Sequence, residues 1–165
     1  MTDAESTEPV QVTIRALVVD PSTNSPVVIL AKPDDNAYLP IWIGVCEANA
    51  IAIKLEGVAS PRPMTHDLMG SILRDLGCSL DRIVIHSLDE SVFHASLHVN
   101  GPGGEHHEID ARPSDAIALA LRLEAGVYVD PNVLARAVVA EVSQEEALKA
   151  MLEELRPEDM GDYEM

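Results

Sequence analysis

Two short segments of the sequence place an Arg-Pro pair and an aspartate at the start of an expected helix. They are PRPMTHDLMGSILRDLG, at residues 61–77, and ARPSDAIALALRLEAG, at residues 111–126. In each segment an arginine follows the aspartate by seven positions, and a glycine closes the segment. A helix start carries unpaired backbone N–H groups and a partial positive charge. With Arg62, His66 and Arg112 beside them, both helix starts are predicted to hold phosphate or another anion.

The two aspartates and two arginines also have a structural interpretation. Asp67 and Asp115 could cap their helices or pair with arginines. The arginine seven positions further on lies about two turns away, so each aspartate is expected to pair with an arginine elsewhere, for example Asp67 with Arg112. Arg62 and Arg112 lie next to prolines and could be buried, joining a loop to the sheet.

The composition predicts a globular protein with an aliphatic core. Of 165 residues, 47% are apolar and only 3% are aromatic. No apolar run approaches the roughly 20 residues of a membrane span, and the acidic N-terminus lacks the pattern of a signal peptide. A cytoplasmic protein without a membrane segment is the simplest interpretation. A formal net charge of −17 excludes a broad basic surface that coats nucleic acid, but not a local anion site.

The elements that must position these residues follow from the apolar patterns. Strands are predicted at residues 10–20, 26–32, 37–43, 79–88, 92–100, 105–111 and 127–129. Helices are predicted at residues 45–57, from an N-cap at Thr65, at residues 113–123, and from Asp130-Pro131 onward. Because strands and helices mix without regular alternation, we expect one α+β domain with a mixed, largely antiparallel sheet packed with helices.

The two ends of the chain are predicted to lie outside the domain of residues 10–140. Residues 1–9 are polar and acidic and are expected to form a disordered lead. Residues 141–165 hold nine acidic and two basic residues and a capping box at Ser143 and Glu146. They are expected to form an acidic amphipathic helix with a frayed end. That helix would dock on its own domain or a second subunit, or alternatively on a partner protein.

The remaining histidines form a second candidate group. Three could share one face of the hairpin, with two more on a neighbouring strand: His86, His94, His98, His106 and His107. Four imidazoles on a sheet could bind zinc, but a shift of one residue in strand register would separate them. A solvated face of the sheet is the favoured interpretation.

Three motifs resemble the bifunctional nuclease family, also called the DUF151 domain. They are LPIWIG at residues 39–44, followed by Glu47 and Ala48, then PRPMTHDL at residues 61–68, and DARPSDAIALALR at residues 110–122. The resemblance covers about residues 12–129, most of the chain. It implies a single α+β domain and a homo-oligomer that cleaves both DNA and RNA, so nucleic acid is the implied substrate.

Phosphodiester hydrolysis commonly uses one or two divalent cations, which bind phosphate oxygens and generate hydroxide. Four carboxylates in or near the motifs are candidate catalytic groups and ligands for Mg²⁺ or Mn²⁺: Glu47, Asp67, Asp110 and Asp115. Arg62 and Arg112 would bind the phosphate. His66 would act as general acid or base, because histidine changes charge near neutral pH.

One motif carboxylate has an unusual position, and the same motifs also allow a function without catalysis. Glu47 interrupts an apolar helix start, so it needs a partner or a metal if it is buried. The alternative to a nuclease is a non-catalytic oligomeric module that binds an anionic ligand or a partner protein at the same Arg-Pro turns.

Overall fold

The computed structural model describes residues 8–33 and 38–141. The predicted N-terminal lead, apart from its last two residues, and the predicted C-terminal helix therefore lie outside the described part. The elements follow in this order: β1 (Val10–Asp20), β2 (Ser25–Ala31), β3 (Tyr38–Trp42), α1 (Val45–Leu55), α2 (Thr65–Asp75), β4 (Ser79–Asp89), β5 (Val92–Asn100), β6 (His106–Ala111), α3 (Pro113–Leu123), β7 (Gly126–Val129) and α4 (Pro131–Glu141).

The strands form one seven-stranded sheet in the order β3-β2-β1-β7-β4-β5-β6. Neighbouring strands are antiparallel except β4 and β7, which run parallel. The predicted fold class, a single α+β domain with a mixed and mostly antiparallel sheet, is confirmed. None of the helices described is long and apolar enough to cross a lipid bilayer.

Helix α3 lies at the centre of the helical layer. It packs against α1 and α2 on one side and against β4, β5 and β7 on the other. Its residues from Ala116 to Ala120 are fully buried, and the three alanines among them let the neighbouring elements approach closely. This packing fixes the Arg-Pro turn before α3 close to the starts of α1 and α2.

Helix α2 is apolar on two faces rather than one. Met69 and Leu73 pack on the main core, whereas Leu68, Ile72 and Leu76 are exposed. The apolar residues of α2 therefore divide between the core and an exposed surface.

The helix boundaries differ from the predictions at two points. Thr65 is the first residue of α2 and not its N-cap, which is Met64. Helix α1 ends at Leu55 rather than at Gly57, whereas α3 spans Pro113–Leu123 as predicted, with Glu124 as its C-cap in the left-handed conformation with φ 56°. Helix α4 begins as predicted, because the Asp130 carboxylate accepts a hydrogen bond from the N–H of Asn132 at 2.8 Å.

Candidate functional site

Three candidate carboxylates occupy the same position in three different helices. Glu47, Asp67 and Asp115 are each the third residue of their helix, in α1, α2 and α3 respectively. A carboxylate in the first helical turn interacts favourably with the unpaired N–H groups and the positive end of the helix dipole. The fold brings these carboxylates into two networks of polar side chains.

The first network joins the starts of all three helices. The Asp115 carboxylate bonds His66 Nε2 at 3.0 Å through one oxygen and Arg112 Nε at 2.8 Å through the other. Arg112 also donates from Nη2 to the Glu47 carboxylate at 2.9 Å. We call this chain of contacts, Glu47–Arg112–Asp115–His66, the dyad network. It places an imidazole and a guanidinium on the two oxygens of one carboxylate.

Burial differs sharply along the dyad network. The side chain of His66 is 9% exposed, that of Glu47 is 18% exposed and that of Arg112 is 69% exposed. The half-buried Glu47 is thus paired with a guanidinium, as its position in an apolar helix start required. A side chain on Gly44 would collide with the Glu47 carboxylate, since a Cβ there would lie 2.2 Å from Oε2. Glycine in the LPIWIG motif leaves space for that carboxylate.

The second network contains an arginine that was not among the predicted site residues. The Arg122 side chain is only 6% exposed and donates from Nε to the Asp67 carboxylate at 2.6 Å. It also donates to the carbonyl oxygens of Ala118 and Ala50 at 2.9 and 3.1 Å. The other Asp67 oxygen accepts the N–H of Met64 at 2.9 Å. Arg122 therefore links all three helices from inside.

Charge and hydrogen bonding shift the pKa values of two groups in these networks. The hydrogen bond from the Met64 N–H, followed by the hydrogen bond and charge of Arg122, lowers the pKa of Asp67 despite its partial burial. The hydrogen bond to Asp115 and the charges of Asp115 and Glu47 raise the pKa of Arg112. Both residues are accordingly ionised at neutral pH.

Several predicted pairings need correction. Asp67 pairs with Arg122 rather than with Arg112, which pairs with Asp115 and Glu47. The expectation that Arg62 and Arg112 are buried is wrong, because both are exposed. The buried arginine that joins elements is Arg122. The aspartate-to-arginine spacing that recurs in both segments points to Arg122. Its partner is the aspartate of the first segment, however, because Arg122 in the second segment bonds Asp67.

Asp110 lies apart from both networks. It is in register with Ser96 on the edge strand β6 and is exposed. Side chains alternate along a strand, and the next residue, Ala111, packs on the core, so Asp110 projects from the opposite face of the sheet. In the part of the chain that the structure describes, no hydrogen bond or ion pair joins Asp110 to either network.

The carboxylates do not form a cation site of the usual kind. Glu47, Asp67 and Asp115 each bond a guanidinium, and Asp110 lies on the other face of the sheet. Among residues 8–33 and 38–141, no three His, Cys, Asp or Glu side chains are grouped so that they could hold a metal ion. The predicted Mg²⁺ or Mn²⁺ ligand set therefore does not fit the observed arrangement.

The histidines of the hairpin and β6 come together only in part. His98 Nδ1 and His106 Nε2 lie 3.1 Å apart, and His106 Nδ1 bonds Asn100 at 3.1 Å. His107 is in register with the buried Val99 and belongs to the other face. Strand β6 lies beside β5, as predicted. The imidazoles of His98 and His106 hydrogen bond to each other on an exposed surface.

Comparison with known proteins identifies the family. A model of the bifunctional nuclease domain matches residues 28–142. Two uncharacterized proteins of Mycobacterium tuberculosis, one from strain CDC 1551 and one from strain H37Rv, are each 40% identical to the chain over 146 residues, covering 87% of the chain and 87% of the relative. The region that the family model matches includes both Arg-Pro segments and the complete dyad network. The chain belongs to the bifunctional nuclease domain family.

Proposed function

We propose that the protein is a nuclease of low sequence specificity that hydrolyses phosphodiester bonds in DNA or RNA. The observation that carries the proposal is the contact of 3.0 Å between the Asp115 carboxylate and Nε2 of the buried His66. A carboxylate that fixes the orientation of an imidazole is a recurrent arrangement for proton transfer. Membership of the bifunctional nuclease family supports the same chemistry on nucleic acid.

His66 is oriented for general acid–base work. Asp115 is already bonded to a cation, so it accepts a hydrogen bond from Nε2 and selects the tautomer in which that nitrogen carries the proton. The other ring nitrogen, Nδ1, then has a free lone pair, and no described residue bonds it. Nδ1 would take a proton from the attacking water or hydroxyl, while the leaving oxygen, on the opposite side of the phosphorus, would take its proton from solvent.

Arg112 would bind the phosphate beside His66. Its Nε and Nη2 atoms are held by Asp115 and Glu47, which fixes the plane of the guanidinium. The Nη1 atom donates to no described residue, and the side chain is 69% exposed. Two N–H donors are therefore available for the oxygens of a phosphate. In this proposal Glu47 and Asp115 position the arginine and the histidine.

The test is a cleavage assay on single- and double-stranded DNA and RNA, with Mg²⁺, Mn²⁺ or a chelator. His66→Ala is expected to lower the rate by about 10²-fold or more, and Glu47→Ala to lower it less. His86→Ala is the matched control, because His86 is exposed on a strand outside the network. Cleavage that survives His66→Ala undiminished would indicate a contaminating nuclease. Dependence on a divalent cation stays a prediction, which the chelator arm decides.

The alternative, a non-catalytic module that binds an anion at the Arg-Pro turns, predicts a different result. Such a protein would bind oligonucleotides or other anions in the same buffers and would cut none of them. The pairing of three candidate carboxylates with arginines favours this alternative over a metal-dependent site, but it leaves the free nitrogen of His66 without a role.

Two further properties are proposed. Self-association is supported by the exposed apolar residues Leu68, Ile72 and Leu76 of α2, since exposed apolar patches commonly mark interaction surfaces. Sedimentation velocity would measure it. A cytoplasmic location would be tested by fractionation of cells.

A further inference from the structure

A cleft of about 380 Å³ opens beside the second network, between the end of α1, the loop that follows it, and α2. Four cationic side chains line it: Lys54, Arg62, Arg74 and Arg122. Asp67 is the one acidic residue among the described residues of its lining. In a chain with 28 acidic and 11 basic residues, this local excess of cations requires an explanation.

Three of the four cations have no acidic partner among residues 8–33 and 38–141. Arg122 is neutralised by Asp67, but Lys54, Arg62 and Arg74 form no ion pair with a described residue. Arg74 donates only a long hydrogen bond to the hydroxyl of Ser71, at 3.4 Å. All three side chains are exposed and border the same space.

The helix dipoles explain only part of this arrangement. Lys54 and Arg74 lie in the last turns of α1 and α2, where a cation is favourable in any helix. Arg62 lies in the loop between them and has no such role. Mutual repulsion of three like charges around one cavity is relieved when an anion enters, so the arrangement favours a ligand with more than one negative charge.

The rest of the lining suits the other parts of a nucleotide. The wall contains apolar side chains and a helical glycine: Ile53, Val58, Ala59, Pro63 and Gly70. Such surface can pack against a sugar or a base without reading its sequence, while the cations hold the phosphates. The cleft volume falls within the range of sites for small ligands.

The first turn of α2 separates this cleft from the dyad network. Asp67 borders the cleft, while its neighbour His66 contacts Asp115 on the other side. We propose that the cleft binds a nucleotide unit of a nucleic-acid strand next to the unit cut at His66, with Lys54, Arg62 and Arg74 on its phosphates. This inference rests on the proposed function and extends it to strand binding by residues outside the dyad network.

Binding is tested by anisotropy of a labelled 12-nucleotide oligodeoxythymidylate over a range of salt concentrations. All proteins are full-length and carry His66→Ala, so that no strand is cut during the titration. The triple variant Lys54→Ala/Arg62→Ala/Arg74→Ala is expected to bind about 30-fold more weakly. The salt slope of its log affinity should fall by about 2, because each phosphate contact to a single strand contributes roughly 0.7. Arg15→Ala is the matched control, because Arg15 is an exposed cation on β1 outside the cleft.

Equal affinity and equal salt slope in the triple variant and the control would overturn the proposal. Competition with deoxythymidine monophosphate and with inorganic phosphate distinguishes a strand site from a site for a small phosphate compound. We expect both competitors to displace the strand only at concentrations far above the dissociation constant of the strand. Displacement by the mononucleotide at concentrations near that constant would contradict binding of a strand.

Cleavage assays separate this inference from the proposed function. With His66 intact, the triple variant should lose about 30-fold in kcat/KM on the 12-nucleotide strand, mainly through KM. Its rate on bis(p-nitrophenyl) phosphate, a diester with no neighbouring nucleotide unit for the cleft to bind, should be unchanged. An equal loss on both substrates would overturn the cleft's role in strand binding. If the unmodified protein cuts neither substrate, the proposed function fails, while the binding result still decides the cleft.

Discussion

A carboxylate in the first turn of a helix can satisfy a backbone N–H and still offer an oxygen to a cation. Asp67 does both, since its two oxygens accept hydrogen bonds from Met64 and from Arg122. Asp115 uses its two oxygens on Arg112 and His66 instead. At the scale of single residues, equivalent positions in two similar segments therefore serve different purposes, one structural and one able to support proton transfer.

The lowered pKa of Asp67 predicts a stability difference that depends on pH. A carboxyl group whose pKa is depressed in the folded state stabilises the fold above its unfolded pKa, about 3.9, and loses that contribution as pH falls through the folded value. Asp67→Asn removes the ionised form at every pH. Urea unfolding should show the unmodified protein more stable at pH 7, with the difference constant down to about pH 5 and shrinking below about pH 4. A difference that does not change with pH would contradict the assignment.

Arg122 is expected to be the most sensitive charged residue for stability. Arg122→Met keeps much of the side-chain volume but leaves the Asp67 carboxylate without its guanidinium partner. Loss of a buried partner of this kind costs about 2–4 kcal/mol in free energy of unfolding, the lower part of the range reflecting the partial exposure of Asp67. The exposed Arg15→Ala should change it by less than about 0.5 kcal/mol. Equal effects in urea unfolding would refute a structural role for Arg122.

At the scale of elements, local patterns and long-range packing contribute separately. The β5 strand was predictable because Phe93, Ala95, Leu97 and Val99 alternate with polar residues, and α4 because Asp130-Pro131 is a standard helix start. The partner of Asp67 was not predictable, because Arg122 lies 55 positions away and meets it only through the packing of α2 on α3. Sequence patterns identified the carboxylates and His66, while the contacts among them depend on how three helices cross.

The end of α1 allows a direct test of backbone strain beside the cleft. Gly57 has φ +67° and closes the helix. Its N–H donates to the carbonyl oxygen of Lys54, and the N–H of Val58 donates to the carbonyl oxygen of Ile53. A Cβ on Gly57 would meet nothing within 4 Å, so Gly57→Ala tests conformation alone. It should lower the free energy of unfolding by about 1 kcal/mol.

The end of α3 supplies the reverse substitution. Glu124 adopts φ 56° with a full side chain, so Glu124→Gly should raise stability, or leave it unchanged where glycine's greater unfolded-state freedom offsets the relief. Thermal or urea unfolding measures both variants. Destabilisation by Glu124→Gly comparable to that of Gly57→Ala would contradict this account of the two helix ends.

At the scale of the whole molecule, an acidic chain concentrates in one place three cations that pair with no acid in the described part of the chain. The formal net charge is −17, yet Lys54, Arg62 and Arg74 border a single cleft next to the turn that carries His66. The fold creates this contrast by bringing together the end of α1, the following loop and α2. A polyanion that is repelled by most of the surface would thereby be directed to the side of the molecule where the imidazole lies.

The most direct test of the account is rescue of His66→Ala by added imidazole. His66 is buried to 7% exposure, so its removal leaves a space that imidazole can enter beside Asp115. His66→Ala is expected to lower the cleavage rate by about 10²-fold or more, and added imidazole is expected to restore part of that rate, increasingly as the pH rises through the range in which imidazole becomes neutral. Added imidazole should not rescue Asp115→Asn. Undiminished cleavage by His66→Ala, or a loss that imidazole never relieves in a folded protein, would contradict proton transfer by His66.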